Sequence, residues 1–96
     1  MFIGVARFEL FLLAQPHSLK EKRAIVNRLK DAIRNRLELS VAEVDAQDVW
    51  QRTVLGVACV SPDQKIARKM LDDSAKILVS FPDVEVTAEE IDVSSW

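Results

Sequence analysis

The sequence predicts an α+β fold, a ferredoxin-like sandwich in which two helices cover one face of a four-stranded antiparallel sheet. Two segments have helical periodicity, and two strand-like segments lie between them. One further strand-like segment precedes the first helix, and another follows the second. The resulting order, βαββαβ, contains the two split βαβ units that specify such a sandwich. Because no linker, repeat or low-complexity stretch interrupts the 96 residues, we expect one domain spanning residues 1–96.

The first two elements have the clearest patterns. Residues 2–13 alternate as a strand does, and Gln15-Pro16 ends that alternation. Ser18 and Glu21 then form a capping box, in which the Glu21 carboxylate is expected to bind the Ser18 amide. The apolar stripe of this first helix comprises Leu19, Val26, Leu29, Ile33 and Leu37.

A hairpin follows the first helix. Residues 39–47 alternate, with Ala42 and Val44 on one face and Glu43 and Asp45 on the other. Residues 51–60 are almost continuously apolar, as in a central strand covered on both faces. Only the short segment 48–50 separates the two strands, so we expect them to pair as a hairpin.

The last two elements are a helix and a strand. Ser61 is expected to cap the second helix, with Pro62 at its first position and Pro82 beyond its end. Its predicted inner face comprises Ile66, Met70, Ile77, Leu78 and Phe81. Alternating apolar residues indicate a final strand, although Glu89-Glu90 interrupts their alternation.

Composition indicates a cytoplasmic protein. The apolar run at the N-terminus is broken by Arg7 and Glu9, which argues against a signal peptide or a membrane span. The single cysteine, Cys59, excludes an intrachain disulfide, and its position within an apolar strand predicts a buried, unreactive thiol. Gly4 and Gly56 lie within strands, where they allow neighbouring groups to approach the backbone closely.

Charge is strongly segregated along the chain. Residues 16–37 contain seven Lys or Arg against two acids, whereas the segment from Asp83 onward contains five acids and no base. The basic helix is suited to contact phosphate, or the acidic tail of a second copy, or simply solvent. The residues predicted to bind RNA or a ribosomal component are Lys22, Arg23, Arg28, Arg34, Trp50 and Arg52. For two of them a structural role is the alternative: the Trp50 ring packed against the core, and a bidentate pair between Arg52 and Asp48.

A second candidate site is a polar cluster of His17, Glu43, Asp45 and Asp48. Such carboxylates can perform acid–base chemistry, hold a divalent cation or bind a small ligand, so a metal-binding protein is among the alternatives. They can equally form ion pairs with Arg7, Arg52 or a second subunit. With one Cys, one His and no Cys-x-x-Cys spacing, the sequence predicts neither a metal site nor a cofactor.

The sheet face opposite the helices provides a third candidate surface. From the first strand it receives Ile3, Val5, Phe11 and Leu13, and from the third either Leu55, Val57 and Cys59 or their neighbours. An apolar patch of this size usually marks a partner site, which predicts a homo-oligomer, with a dimer favoured. A protein–protein adaptor that uses this face is an alternative.

Six stretches of the chain form a specific combination: residues 3–5, 17–23 (His-Ser-Leu-Lys-Glu-Lys-Arg), 40–45, 47–48, 50–52 (Trp-Gln-Arg) and 55–58. In these stretches the chain resembles the YlxP-like family of small bacterial proteins of unknown function. The resemblance implies a ferredoxin-like fold. Genes of the family often lie among those for transcription elongation and translation initiation, which implies a role in translation by association.

Three other ferredoxin-like functions lack their required residues. An RNA-recognition motif needs aromatic residues on its central strands, and the third strand has none. The loop after the first strand lacks the arginine of an acylphosphatase, and a metallochaperone needs Cys-x-x-Cys. The leading hypothesis is therefore a non-enzymatic, self-associating binding module; the alternative is an enzyme or ligand-binding protein that uses the polar cluster.

Overall fold

The computed structural model describes residues 1–96 and contains the six predicted elements in the predicted order. They are β1 (Phe2–Leu12), α1 (Leu19–Arg36), β2 (Ser40–Asp45), β3 (Arg52–Ser61), α2 (Gln64–Val79) and β4 (Val84–Ser95). The strands form one sheet of order β2-β3-β1-β4, in which every neighbouring pair is antiparallel. The ferredoxin-like prediction is confirmed.

One continuous hydrophobic core lies between the helices and one face of the sheet. Alternate residues of β1 supply its centre, where Phe8 and Leu12 are fully buried. From α1 the core receives Leu29 and Ile33, and from α2 Leu71. The alternation in β1 and the stripe along α1 therefore identified the buried faces correctly.

The start of α1 confirms the capping box and changes one partner. The Ser18 hydroxyl accepts a hydrogen bond from the Glu21 amide at 3.1 Å, as expected. The Glu21 carboxylate, however, accepts from the His17 amide rather than from Ser18.

The start of α2 differs from the prediction. Its N-cap is Asp63, whose carboxylate accepts hydrogen bonds from the Lys65 and Ile66 amides. Ser61 instead ends β3, where it pairs with Phe2 of β1. The serine stays in the sheet ladder, and Asp63, a residue type about equally favoured as an N-cap, caps the helix two residues later.

This later start rotates the inner face of α2. The buried residues of α2 are Ala67, Leu71, Ser74, Ile77 and Leu78. Ile66, predicted to be internal, is exposed, and Met70 is only half buried.

Two irregularities interrupt the sheet. In β2 the pairing with β3 shifts between Glu43 and Asp45, which inserts one additional residue, Val44. In β4 the pairing with β1 shifts between Glu9 and Leu10, which leaves Thr87 without a partner. This second bulge accounts for the interrupted alternation in the last strand.

Three connections lie at one end of the sheet, which we call the hairpin end: residues 13–18, 46–51 and 80–83. Backbone hydrogen bonds join them, because the Leu12 amide donates to Gln51 and the Leu13 amide donates to Asp83. Neither helix is long and apolar enough to cross a membrane.

Candidate functional site

Lys22 anchors the connection between β2 and β3 to the first helix. Its side chain is only 1% exposed, and its ammonium donates hydrogen bonds to the carbonyl oxygens of Ala46 and Gln47, the latter at 3.2 Å. It also forms an ion pair with Glu43 at 3.0 Å. Three acceptors match the three N–H donors of a lysine. The prediction that Lys22 is exposed and contacts a partner is therefore wrong.

Glu43 links this lysine to the sheet. One of its carboxylate oxygens lies near the Lys22 ammonium and also accepts a hydrogen bond from the hydroxyl of Thr53, a fully buried residue of β3. No buried side-chain nitrogen or oxygen is left without a hydrogen-bond partner. Lys22, Glu43 and Thr53, which we call the buried triad, form a satisfied polar network on the helix-covered side of the sheet.

The anchored loop holds a tryptophan at the molecular surface. Ala46 adopts a left-handed conformation with φ of 59°, and its amide binds the Asp45 carboxylate at 2.7 Å. The Val49 amide donates to the Ala46 carbonyl, which closes a turn before Trp50. Trp50 itself is 48% exposed, so its ring is not packed within the core. A tight backbone thus presents a half-exposed indole.

The remaining predicted basic residues occupy different surfaces. Arg28 forms an ion pair with Asp83 at 3.2 Å, and Arg34 donates a hydrogen bond to the Val41 carbonyl at 2.6 Å, at the outer edge of β2. Arg23 and Arg52 are exposed and belong to none of the six ion pairs. The suggested pair between Arg52 and Asp48 is absent, so the turn is fixed by the buried triad instead.

The structure does not assemble the predicted polar cluster as one site. Glu43 faces the helices, and the bulge that follows it turns Asp45 toward the open face, where it meets Arg7 at 3.5 Å. His17 and Asp48 are exposed on separate connections at the hairpin end. No group of three or more His, Cys, Asp or Glu side chains is arranged to hold a metal ion.

Arg7 and Asp45 together cover part of the central strand. Arg7 lies on β1 and Asp45 on β2, so their ion pair passes over β3, which runs between them. The strand register places Val54 beneath it, since this residue pairs with Asp45 and with Glu9. Val54 is only 1% exposed although it points away from the helices.

The open sheet face carries the four residues predicted for it from the first strand. Val5 and Leu13 are exposed, while Ile3 and Phe11 are half buried. From β3 every second residue lies on this face: Arg52, Val54, Gly56, Ala58 and Val60. Of the two possibilities for this strand, Leu55, Val57 and Cys59 belong to the core and their neighbours to the open face.

An apolar groove crosses this face. Its volume is about 360 Å³, and Val5, Ala42, Val44 and Ala58 lie along it. Gly56 makes the groove possible, because a Cβ there would lie 2.8 Å from Val44 Cγ1. The glycine lets Val44 fold across the central strand, as the prediction of close approach required.

Cys59 lies on the core side and is 5% exposed. Burial raises the pKa of its thiol, and a hydrogen bond with the backbone of Gly4 opposes that shift only in part. A buried thiol that resists ionisation is a poor nucleophile, as its sequence position indicated.

Comparison with known proteins identifies the family. Residues 3–91 match the family described as "Protein of unknown function (DUF503)". The chain belongs to this family. A DUF503-type relative, "Uncharacterized protein YlxP" of Bacillus subtilis (strain 168), is 38% identical over 85 residues, which is 88% of this chain and 91% of the relative. The YlxP-like resemblance is thus confirmed.

Among solved structures, the chain is similar to a mutant of SnoaB, a cofactor-independent oxygenase from Streptomyces nogalater. The two are 12% identical and have a TM-score of 0.38, over 97% of this chain and 92% of the other. A likeness at this level carries no argument about activity.

Sequence reasoning missed the role of Lys22 in this DUF503 chain, although the sequence contains its signal. Lys22 lies three residues after Leu19, four before Val26 and seven before Leu29, which places it within the apolar stripe of α1. A lysine within such a stripe needs buried acceptors. Glu43, one of these acceptors, lies in phase with the buried Val41, whereas the bulge that separates it from Asp45 has no comparable signal.

Proposed function

We propose that this protein is a non-catalytic RNA-binding module, which holds a single-stranded segment of RNA at its hairpin end through Trp50, Arg52 and Arg23. One observation carries the proposal: the buried Lys22 ties the backbone of Ala46 and Gln47 to α1, and the loop anchored in this way carries the half-exposed indole of Trp50. Stacking of a base on an aromatic ring, with cations along the backbone, is the common mode of single-strand binding.

Preorganisation of the loop favours binding by Trp50. The loop is fixed by the two Lys22 hydrogen bonds and by the hydrogen bond from Leu12 to Gln51. Little conformational entropy is then lost when a ligand stacks on the ring. An indole with 48% of its surface in water gains by being covered.

The charges near the loop are free to act on phosphate. Arg23 follows the anchoring lysine directly and, like Arg52, has no carboxylate within ion-pair distance. Arg28 is already paired with Asp83, and Arg34 is bound to the edge of β2, so we assign neither to this surface. A role in translation, which the family resemblance implies, makes ribosomal RNA the natural target.

The direct test is the fluorescence of Trp50 during titration with single-stranded RNA oligonucleotides. The chain contains one other tryptophan, Trp96, which is exposed, so the Trp96→Phe variant isolates the signal. We expect quenching on RNA addition and an affinity that falls steeply with salt. Because stacking contributes about 1–3 kcal/mol per base, Trp50→Ala in the same background, followed by filter binding, should weaken affinity about fivefold to a hundredfold.

A pair of charge reversals separates a local contact from the overall charge. Arg23→Glu should abolish binding, whereas Lys65→Glu, at the start of α2 and the opposite end of the sheet, should preserve it. Equal losses for both variants, or quenching that does not change with salt, would contradict the proposal. Absence of RNA binding together with capture of an acidic protein at Arg23 would assign the surface to a protein partner instead.

A further inference from the structure

An acidic strand forms one edge of the open sheet face and basic side chains of α1 lie beside the other edge, on either side of an apolar centre. The centre is the groove lined by Val5, Ala42, Val44 and Ala58. None of these residues has a partner that covers it within the chain, and Val5 and Val44 are each exposed by almost half. Arg52, at the hairpin end of β3, belongs both to this face and to the proposed RNA-binding surface, and it lies outside the groove.

The edge formed by β4 is acidic. Its side chains include Glu85, Glu89, Glu90 and Asp92 and no base. The register pairs Glu90 with Arg7 and Asp92 with Val5, so both acids lie level with the apolar groove.

The edge formed by β2 is flanked by positive charge. Arg34 of α1 donates to the carbonyl of Val41, which places its guanidinium at this edge. Lys30 lies one turn earlier on the same side of the helix. The register also fixes the position of this guanidinium along the strands. Its partner Val41 lies between Ser40 and Ala42, which pair with Ala58 and Gly56.

We propose that a second copy of this chain covers the open face, related to the first by a two-fold axis that runs parallel to the strands. Such an axis reverses the order of the strands and keeps their levels, so the β4 edge of one copy lies over the β2 edge of the other. Glu90 shares its row across the sheet with Gly56 and Ala42, and Asp92 shares its row with Ala58 and Ser40. Both acids therefore meet Arg34 of the partner subunit, twice per dimer.

The dimensions and packing of the face agree with this arrangement. The molecule measures 43 Å and 21 Å along its two longer axes, which provides a face comparable with the roughly 800 Å² per partner of a standard interface. Sheets that pack face to face with nearly aligned strands are a common solution. The apolar centres of the two copies would bury each other, while opposite charges meet at both edges.

Sedimentation equilibrium of the full chain and its variants tests the arrangement. The wild type should be a dimer at micromolar concentration, and Val5→Asp should raise the dissociation constant about a hundredfold or more, because it buries an unpaired charge. Asp92→Lys should raise it about tenfold through repulsion by the partner's arginine. Asp31→Lys, on the exposed surface of α1, makes the same change in charge and should leave it unchanged.

A rescue distinguishes a second copy from any other occupant. In the triple variant Glu90→Lys/Asp92→Lys/Arg34→Glu both altered β4 residues again meet a residue of opposite charge, so the dimer should return, while circular dichroism confirms that each variant is folded. A monomeric wild type overturns the proposal. A dimer that is insensitive to Val5→Asp, or that Arg34→Glu fails to rescue, overturns the arrangement of the two copies.

Discussion

Glu43 and Asp45 lie two residues apart in one strand and yet belong to two different environments. Glu43 turns toward the helices, where it pairs with a lysine that is 1% exposed. Asp45 turns toward the open face, where its side chain is 68% exposed and its partner Arg7 is 44% exposed. A regular strand would have placed both carboxylates on one face, and the bulge at Val44 separates them.

The two ion pairs differ in what their loss leaves behind. Removing one member of the inner pair leaves a desolvated charge without its partner, which is strongly destabilising. Removing one member of the outer pair leaves a charge that water solvates. An ion pair of the same chemical type therefore contributes much to stability on the inner face and little on the outer face. The predictions below test that contrast.

The largest effect should come from the inner pair. Lys22→Met keeps the length of the side chain but leaves Glu43 and two loop carbonyls without their donor. We expect the free energy of unfolding to fall by about 3 kcal/mol in urea denaturation. The control Lys20→Met, exposed on the same helix, should change it by less than about 0.5 kcal/mol.

A double-mutant cycle shows whether the buried triad acts as a unit. Lys22→Met combined with Glu43→Leu removes both charges, so the combined loss should be smaller than the sum of the single losses by about 1–3 kcal/mol. Strict additivity of the two single losses would mean that Lys22 stabilises the loop without the carboxylate.

Two glycines, one beneath each face of the sheet, extend the comparison to packing. A Cβ at Gly4 would lie 2.9 Å from both Cys59 Sγ and Leu71 Cδ1, and Leu71 is fully buried. A Cβ at Gly56 would lie 2.8 Å from Val44 Cγ1, whose side chain is half exposed. The two distances are nearly equal, but only Val44 has room to move.

Gly4→Ala should therefore cost more stability than Gly56→Ala. We expect a loss of about 2 kcal/mol for Gly4→Ala, as for other overpacked cores, and less than about 1 kcal/mol for Gly56→Ala. Thermal unfolding of the two variants measures the difference, and Val44→Ala should remove the smaller loss. Equal losses would show that the open face is as tightly packed as the core.

The elements that local patterns determine were predictable, and those that depend on strand pairing were not. The alternation of β1 and the stripe of α1 follow from burial on one side, so they can be counted in the sequence. The cap of α2 was assigned to Ser61 because Ser-Pro is a frequent helix start, but pairing with Phe2 keeps Ser61 in the sheet. Only the pairing of whole strands reveals such a competition.

The candidate site shows the same division. The exposure of Arg52 could be expected from its place next to a turn, whereas the sequence also favoured a Trp50 ring packed against the core, and that ring is half exposed. Glu43 faces inward by regular alternation with the buried Val41, but the outward turn of Asp45 depends on one additional residue in β2, which no residue type in the sequence requires. The separation of the two carboxylates thus became visible only with the register.

In the loop next to the bulge, a substitution at Ala46 should raise the stability slightly, whereas the substitutions above lower it. Ala46 has a left-handed backbone, which costs an L-residue roughly 1–2 kcal/mol and costs glycine nothing. Glycine also loses more conformational entropy on folding, by about 0.5–1 kcal/mol. Ala46→Gly should therefore stabilise the protein by about 0.5 kcal/mol in urea denaturation, and a clear destabilisation would show that the methyl group makes contacts that outweigh the strain.

The smallest effect should come from the outer pair, and its dependence on salt is the sharper measurement. Arg7→Met keeps an apolar stem over Val54 and removes the charge that pairs with Asp45 at 3.5 Å and with Glu9 at 3.9 Å. At low salt we expect a loss of about 0.2–1 kcal/mol, which should vanish at 1 M NaCl, where the screening length falls to about 3 Å. The loss caused by Lys22→Met should persist at that salt concentration, because salt has little access to a side chain that is 1% exposed. A salt-independent loss for Arg7→Met would place the outer pair in a drier environment than its exposure indicates, as a second copy seated on the open face would create.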